Sequence, residues 1–138
     1  MNKKLLKQIT RFIVVGIGAT VIDYFCANLF SFILNLNNQL SITLAFIISV
    51  IFNYFLSKIW VFDFDKSKSA IHHFVLFLSL SLAGVILNSL LFELAINYLF
   101  NFSNKILNFN AAKIFATFFV MVFNFITRKF FLERRSNV

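Results

Sequence analysis

The chain has 138 residues and a net charge of +8, and it is 60% hydrophobic but only 13% charged, with 22 Phe and no Pro. This composition excludes an ordinary soluble domain and indicates an integral membrane protein. The positive charge does not indicate nucleic acid binding, because the basic residues lie in clusters beside apolar stretches rather than along one soluble face.

Four apolar stretches, each long enough to cross a bilayer, predict transmembrane helices at about 12–34, 40–56, 74–98 and 109–126. The connections are too short for a separate soluble domain, so residues 1–138 are expected to form a single all-α transmembrane domain. We expect the first stretch to be retained rather than cleaved as a signal peptide, because it is long and interrupted by Asp23.

The distribution of basic residues predicts the orientation, because basic residues are depleted on the translocated side of a membrane. Eleven of the 13 would lie on one side: Lys3, Lys4, Lys7, Arg11, Lys58, Lys66, Lys68, Arg128, Lys129, Arg134 and Arg135. That side is predicted to be cytoplasmic, and both termini are therefore expected inside the cell. We therefore expect a multi-pass protein of the cytoplasmic membrane.

Asp23 lies near the middle of the first stretch, where an ionised carboxylate costs about 2.5 to 3.5 kcal/mol even on lenient insertion scales. It is either a structural acid satisfied by a neighbouring helix or a site for a sugar hydroxyl, a proton or a cation, and we favour the functional interpretation. Gly16, Thr20 and Ala27 share its helical stripe, which we expect to face the bundle interior.

The spacing also predicts an internal duplication, with repeat units at about 1–62 and 72–135. An offset of 65 residues aligns Asp23 with Asn88, and an offset of 71 aligns Asn53 with Asn124 and Lys58 with Lys129. Because each unit would cross the membrane twice, the two helical hairpins are expected to be parallel repeats, related by an axis along the membrane normal.

Several polar residues near or within the stretches have two interpretations. Asn53 and Asn124 either form interhelical hydrogen bonds or bind sugar hydroxyls, and Arg128 falls four residues after Asn124, on the same helical face. Lys113 could pair with Asp23 or extend to the outer surface. Motifs for nucleotide binding, nucleophilic catalysis or metal ligation are missing, so we expect neither an enzyme nor a cofactor or metal site.

Four strings resemble the GtrA-like family, in the right order and over nearly the whole chain: Lys-Gln-Ile-Thr-Arg-Phe-Ile-Val-Val-Gly (7–16), Asn-Tyr-Phe-Leu-Ser-Lys-Ile-Trp-Val-Phe (53–62), Ala-Lys-Ile-Phe-Ala-Thr (112–117) and Asn-Phe-Ile-Thr-Arg-Lys-Phe-Phe (124–131). The resemblance implies a small four-span flippase that moves polyprenyl-phosphate-linked sugars across the membrane for glycosylation of cell-envelope polysaccharides. One departure is Ser57, where the family more often has Asn.

A flippase needs a polar route for the sugar headgroup while the lipid tail stays in the bilayer. We expect Asp23, Asn53, Asn88 and Asn124 to line that route. The phosphate would be attracted by the cations Arg11, Lys58, Arg128 and Lys129 at the inner surface and by Lys113 farther out.

Two other function classes are compatible with this sequence. One is a proton-coupled exporter of cationic drugs, similar to the small multidrug-resistance proteins, in which Asp23 would exchange protons. The other is a membrane scaffold for a glycosyltransferase that transports nothing. For the flippase we expect a homodimer or higher homo-oligomer, because four helices form a thin wall around a headgroup, and a membrane glycosyltransferase as a functional partner.

Overall fold

The computed structural model of the chain describes residues 2–133, so Arg134 and Arg135 of the orientation prediction lie outside the described residues. The described part is helical, with an isolated antiparallel bridge between Phe64 and Glu133 and no β-strand. Its helices are α1 (Lys3–Asn28), α2 (Asn38–Leu56), α3 (Ala70–Leu94) and α4 (Lys105–Leu132), and π-helical turns continue the first three as Leu29–Ile33, Ser57–Val61 and Ala95–Leu99. All four are long and apolar enough to span a membrane, which confirms the predicted all-α, four-span fold class.

Each helix begins after a polar residue whose side chain accepts a hydrogen bond from a backbone N–H of the first turn. Asn2 accepts from Lys4 at 3.1 Å, Asn37 from Gln39 at 2.8 Å, Ser69 from His72 at 3.1 Å and Asn104 from Ile106 at 2.9 Å. These caps satisfy N–H groups that have no partner inside the helix. Short polar residues therefore set where the helices start.

The helices extend beyond the predicted apolar stretches. The fourth runs as Lys105–Leu132 rather than 109–126, and the first begins at Lys3 rather than at residue 12. The reason is that hydropathy detects the part of a helix that suits lipid, whereas the backbone stays helical through the interfacial residues until a cap or a loop ends it.

The described residues up to Lys68, together with Glu133, form one compact unit, and Ser69–Leu132 form a second. In the first unit α1 packs against α2, and the buried side chains of α1 are Gln8, Phe12, Val15 and Ala19. These recur at intervals of four, three and four residues, as expected for one face of a helix. The facing side of α2 is mostly small, with buried Ser41, Ala45 and Ser49, which lets the two backbones approach closely.

The segment after α2 folds back onto its own hairpin. Phe62 and Phe64 are buried, and the Phe62 ring lies 6.0 Å from that of Phe12, edge to face. The buried Gln8 side chain donates from Nε2 to the main-chain oxygen of Val61 at 3.1 Å and to the Glu133 carboxylate at 2.8 Å. Gln8 therefore ties α1 to both the π-helical turn Ser57–Val61 and the end of the described chain.

We expect Gln8→Ala to destabilise the protein by about 1 to 2 kcal/mol, because the variant loses two hydrogen bonds at a buried position. Thermal unfolding in detergent, followed by circular dichroism or loss of the monodisperse chromatographic peak, measures the effect. Lys4→Ala is the control, since Lys4 is exposed on the same helix. Equal unfolding temperatures for the two variants would show that the Gln8 contacts contribute nothing to stability.

In the second unit α3 packs against α4 through His73, Phe77, Ser81 and Gly84 on one side and Ala112, Ala116, Arg128 and Leu132 on the other. Positions related by the predicted offsets are both buried, one in each unit. The pairs are Gln8 and His73, Phe12 and Phe77, Ala45 and Ala116, Ser57 and Arg128, and Val61 and Leu132. A duplication would produce this pattern, although the repeat units themselves stay a prediction.

Candidate functional site

In the first unit Arg11 contacts Trp60, where α1 passes the π-helical turn Ser57–Val61. Arg11 donates from Nη1 to the main-chain oxygen of Trp60 at 3.1 Å, and its guanidinium carbon lies 5.3 Å from the centroid of the Trp60 ring. Lys58 belongs to the same turn and is exposed. Both cations predicted to attract phosphate in this hairpin are therefore carried by neighbouring elements, with an indole ring beside one of them.

Asn53 lies one turn before this cluster on α2 and is half-buried. Its Oδ1 accepts a hydrogen bond from the Ser57 hydroxyl at 3.0 Å, and Ser57 is fully buried. Ser57, the residue at which the sequence departs from the pattern that it resembles, thus provides a short hydroxyl that orients the Asn53 amide.

Asp23 is half-buried on α1, twelve residues beyond Arg11 and therefore ~18 Å farther along the helix. The small stripe around it is not the face by which α1 contacts α2. Thr20 is exposed and donates to the main-chain oxygen of Gly16 at 2.9 Å, and a Cβ built on Gly16 would meet no described atom within 4 Å. The contact with α2 is formed instead by an adjacent face of α1. There the larger side chains of Phe12 and Val15 are buried and fill the space between the helices.

Arg128 is the most buried cation of the second unit, with 4% of its surface exposed. Its Nη2 donates to the Ser81 hydroxyl at 3.0 Å, and its guanidinium carbon lies 4.1 Å from the centroid of the Phe77 ring. Ser81 in turn donates to the main-chain oxygen of Phe77 at 2.9 Å. The predicted interfacial cation is therefore held between α3 and α4, where a guanidinium keeps its charge and interacts strongly with a ring face and a hydroxyl.

Asn124 faces α3 one turn before Arg128, as its predicted helical spacing requires. Its Oδ1 is buried and its amide lies so close to Gly84 that a Cβ there would come within 2.8 Å of Oδ1 and 3.2 Å of Nδ2. Gly84 thus makes room for the amide. Asn88, half-buried, follows Gly84 one turn later on α3.

The other two predicted site residues are also on α4. Lys129 is half-buried beside Arg128, and Lys113 is exposed. Lys113 and Asp23 belong to different units, and their pairing stays a prediction. Within residues 2–133, no group of three or more His, Cys, Asp and Glu side chains could hold a metal ion.

The sequence patterns did not reveal Trp60, Ser81 or Phe77 as partners of the arginines. Trp60 is typical of residues at a membrane interface, and nothing in its spacing connects it to Arg11, which lies 49 residues away. Ser81 and Phe77 could have been found from the predicted repeat, since they align with Gly16 and with the buried Phe12.

A family model described as GtrA/DPMS, transmembrane domain, matches residues 11–132, which include all nine predicted site residues and Trp60. Comparison with curated proteins and with solved structures found no match.

Proposed function

The chain belongs to the family of the GtrA/DPMS transmembrane domain, and from this premise we propose that it is a flippase for polyprenyl-phosphate-linked sugars. It is a multi-pass membrane protein with four apolar helices. The family match over residues 11–132 is the observation that carries the proposal. The product would be a sugar headgroup delivered outside the cell for glycosylation of an envelope polysaccharide.

The polar residues of each hairpin support this function by their order along the helices. On α1, Arg11 comes first and Asp23 lies ~18 Å farther on; on α4, Arg128 and Asn124 are one turn apart and Lys113 lies ~17 Å beyond Asn124. Polar and charged groups at this depth are costly and are retained for a use. A hydrophilic headgroup crossing a bilayer needs such groups at successive depths.

The proposal includes an orientation and a mode of action. The ends of the hairpins that carry Arg11, Lys58, Arg128 and Lys129 would face the cytoplasm, where lipid-linked sugars are synthesised, and the membrane would be the cytoplasmic membrane. The protein would move the headgroup without breaking a covalent bond. A second copy of the chain would complete the wall around the headgroup, and a membrane glycosyltransferase would use the delivered lipid.

Reconstitution of the purified protein into proteoliposomes tests the proposal directly. A synthetic polyprenyl phosphate carrying a fluorescent sugar is placed in both leaflets, and a membrane-impermeant quencher reports the fraction of headgroups accessible from outside. We expect headgroups of the inner leaflet to become accessible only in vesicles that contain the protein. A scaffold without transport activity would leave accessibility at the level of empty vesicles.

Substitutions of Asp23 distinguish a headgroup contact from proton exchange. If Asp23 accepts hydrogen bonds from sugar hydroxyls, Asp23→Asn keeps an accepting oxygen and should slow translocation by about threefold, whereas Asp23→Ala should slow it by about tenfold. Thr20→Val, one turn away on the same face, should leave the rate unchanged. A proton-coupled exporter would instead lose all activity in Asp23→Asn and would respond to an imposed pH gradient.

A further inference from the structure

We propose that Arg11 and Trp60, here called the Trp60 platform, form the docking site for the phosphorylated head of the lipid substrate. Trp60 holds the Arg11 guanidinium in place and presents its ring to the sugar. The inference rests on the proposed function, and it assigns loading of the substrate to the first hairpin.

The contacts of Arg11 leave its guanidinium able to bind phosphate. A guanidinium has five N–H donors, and the bond from Nη1 to the main-chain oxygen of Trp60 uses one of them. The ring of Trp60 lies against the same group at 5.3 Å and restricts its orientation. An arginine held in this way can offer two parallel N–H groups to two phosphate oxygens, at little further entropic cost.

Trp60 itself is held on a fixed part of the hairpin. The two residues that follow it are anchored to α1, because the main-chain oxygen of Val61 accepts from Gln8 at 3.1 Å and the Phe62 ring packs against Phe12. Nevertheless, Trp60 is 42% exposed. The platform therefore combines a rigid support with one guanidinium and an aromatic face that a ligand can reach.

The second hairpin lacks this arrangement at the positions predicted to be equivalent. Leu76 aligns with Arg11 and Phe131 with Trp60, while the arginine of that hairpin, Arg128, is 4% exposed and lies between α3 and α4. Membrane orientation accounts for cations at these ends of the helices, but it does not require a guanidinium to be held on an indole ring. This difference between the hairpins points to docking on the first.

Trp60 provides the readout, because it is the only tryptophan of the chain. The full-length protein in nanodiscs of zwitterionic lipid is titrated with farnesyl phosphate, with farnesyl phosphoglucose and with phosphatidylglycerol. We expect a saturable change in Trp60 emission with both prenyl phosphates, and a larger change with the glucosylated one. The affinity should fall about tenfold in Arg11→Gln and less in Arg11→Lys, because lysine keeps the charge but loses the bidentate fork.

Lys7→Gln is the control for Arg11→Gln, since it removes the same charge one turn earlier from an exposed position. It should change the affinity less than twofold. Wild-type affinity in Arg11→Gln, no saturable change with either prenyl probe, or an equal change with phosphatidylglycerol at the same mole fraction would each overturn the docking site. The last result would identify a general contact for anionic lipids.

Translocation kinetics separate positioning by Trp60 from a purely structural role. Trp60→Leu should raise the apparent KM about tenfold with little change in maximal rate, and Trp60→Phe should restore most of the loss because it keeps an aromatic face. Phe131→Leu, the predicted equivalent, should behave as the wild type. Wild-type KM in both Trp60→Leu and Arg11→Gln, with translocation intact, would overturn the platform alone. Saturable binding without translocation would contradict the proposed flippase function alone.

Discussion

Replacing Arg128 by methionine should leave the protein folded but slow translocation of lipid-linked sugar at least tenfold. Methionine has a similar length and can pack on the Phe77 ring, and a buried charge replaced by an apolar side chain of similar volume often leaves stability unchanged or raises it. What methionine removes is the permanent positive charge and its donors beside Ser81. Initial rates in the proteoliposome assay, normalised to the amount of folded protein, measure the loss.

Two further variants separate the loss of the Arg128 charge from the loss of its packing and from the loss of any cation on α4. Arg128→Ala should lose both activity and about 2 to 4 kcal/mol of stability, because truncation leaves a cavity against Phe77 in addition to removing the charge. Lys105→Met removes a cation from an exposed position on the same helix and should be nearly silent. A wild-type rate in Arg128→Met would show that Arg128 is a packing residue and would remove it from the cations proposed to attract the phosphate.

Replacing Gly84 by alanine should destabilise the protein by about 1 to 2 kcal/mol, because the new Cβ overlaps a packed side chain. The overlap is with the Asn124 amide, whose Oδ1 would be 2.8 Å from the Cβ. If the Asn124 amide is responsible, the loss should disappear when Asn124 is also alanine. A double-mutant cycle on unfolding midpoints in detergent should therefore give a coupling energy of about 1 kcal/mol between the two positions.

Gly16→Ala is the matched control, since it makes the same change within a predicted membrane span. A Cβ on Gly16 meets no described atom within 4 Å, so alanine should be neutral or should stabilise by up to about 1 kcal/mol through its higher helix propensity. Equal stability of Gly84→Ala and Gly16→Ala would mean that Asn124 does not pack on Gly84.

Much of the architecture could be predicted from local properties of the chain. Apolar stretches long enough to cross a bilayer predict four helices, because lipid satisfies no backbone hydrogen bonds and only a helix satisfies them within its own segment. The structure confirms the four helices, and the family model confirms the resemblance. The helix ends were less predictable, because caps such as Asn104 rather than hydropathy determine them.

The candidate site was predictable in its residue types but not in its contacts. Asp23, Asn53 and Asn124 are conspicuous because polar groups are costly inside an apolar stretch. The sequence also placed Arg128 on the face of Asn124 by helical spacing alone, and both residues do face α3. Spacing could not show that Arg128 is enclosed rather than interfacial, because that depends on the ring of Phe77, 51 residues earlier in the chain.

The sequence by itself determined that this is a four-helix membrane protein of the GtrA/DPMS transmembrane family, with its basic residues concentrated at particular helix ends, since these follow from composition and order along the chain. Only the tertiary structure decided which face of α1 packs against α2. That face carries Phe12 and Val15 rather than the small residues around Asp23. It also decided that Arg11 is held by Trp60. The physical reason is that side-chain packing and hydrogen bonds depend on which surfaces meet across long sequence separations, and a pattern read along one helix does not contain its partner.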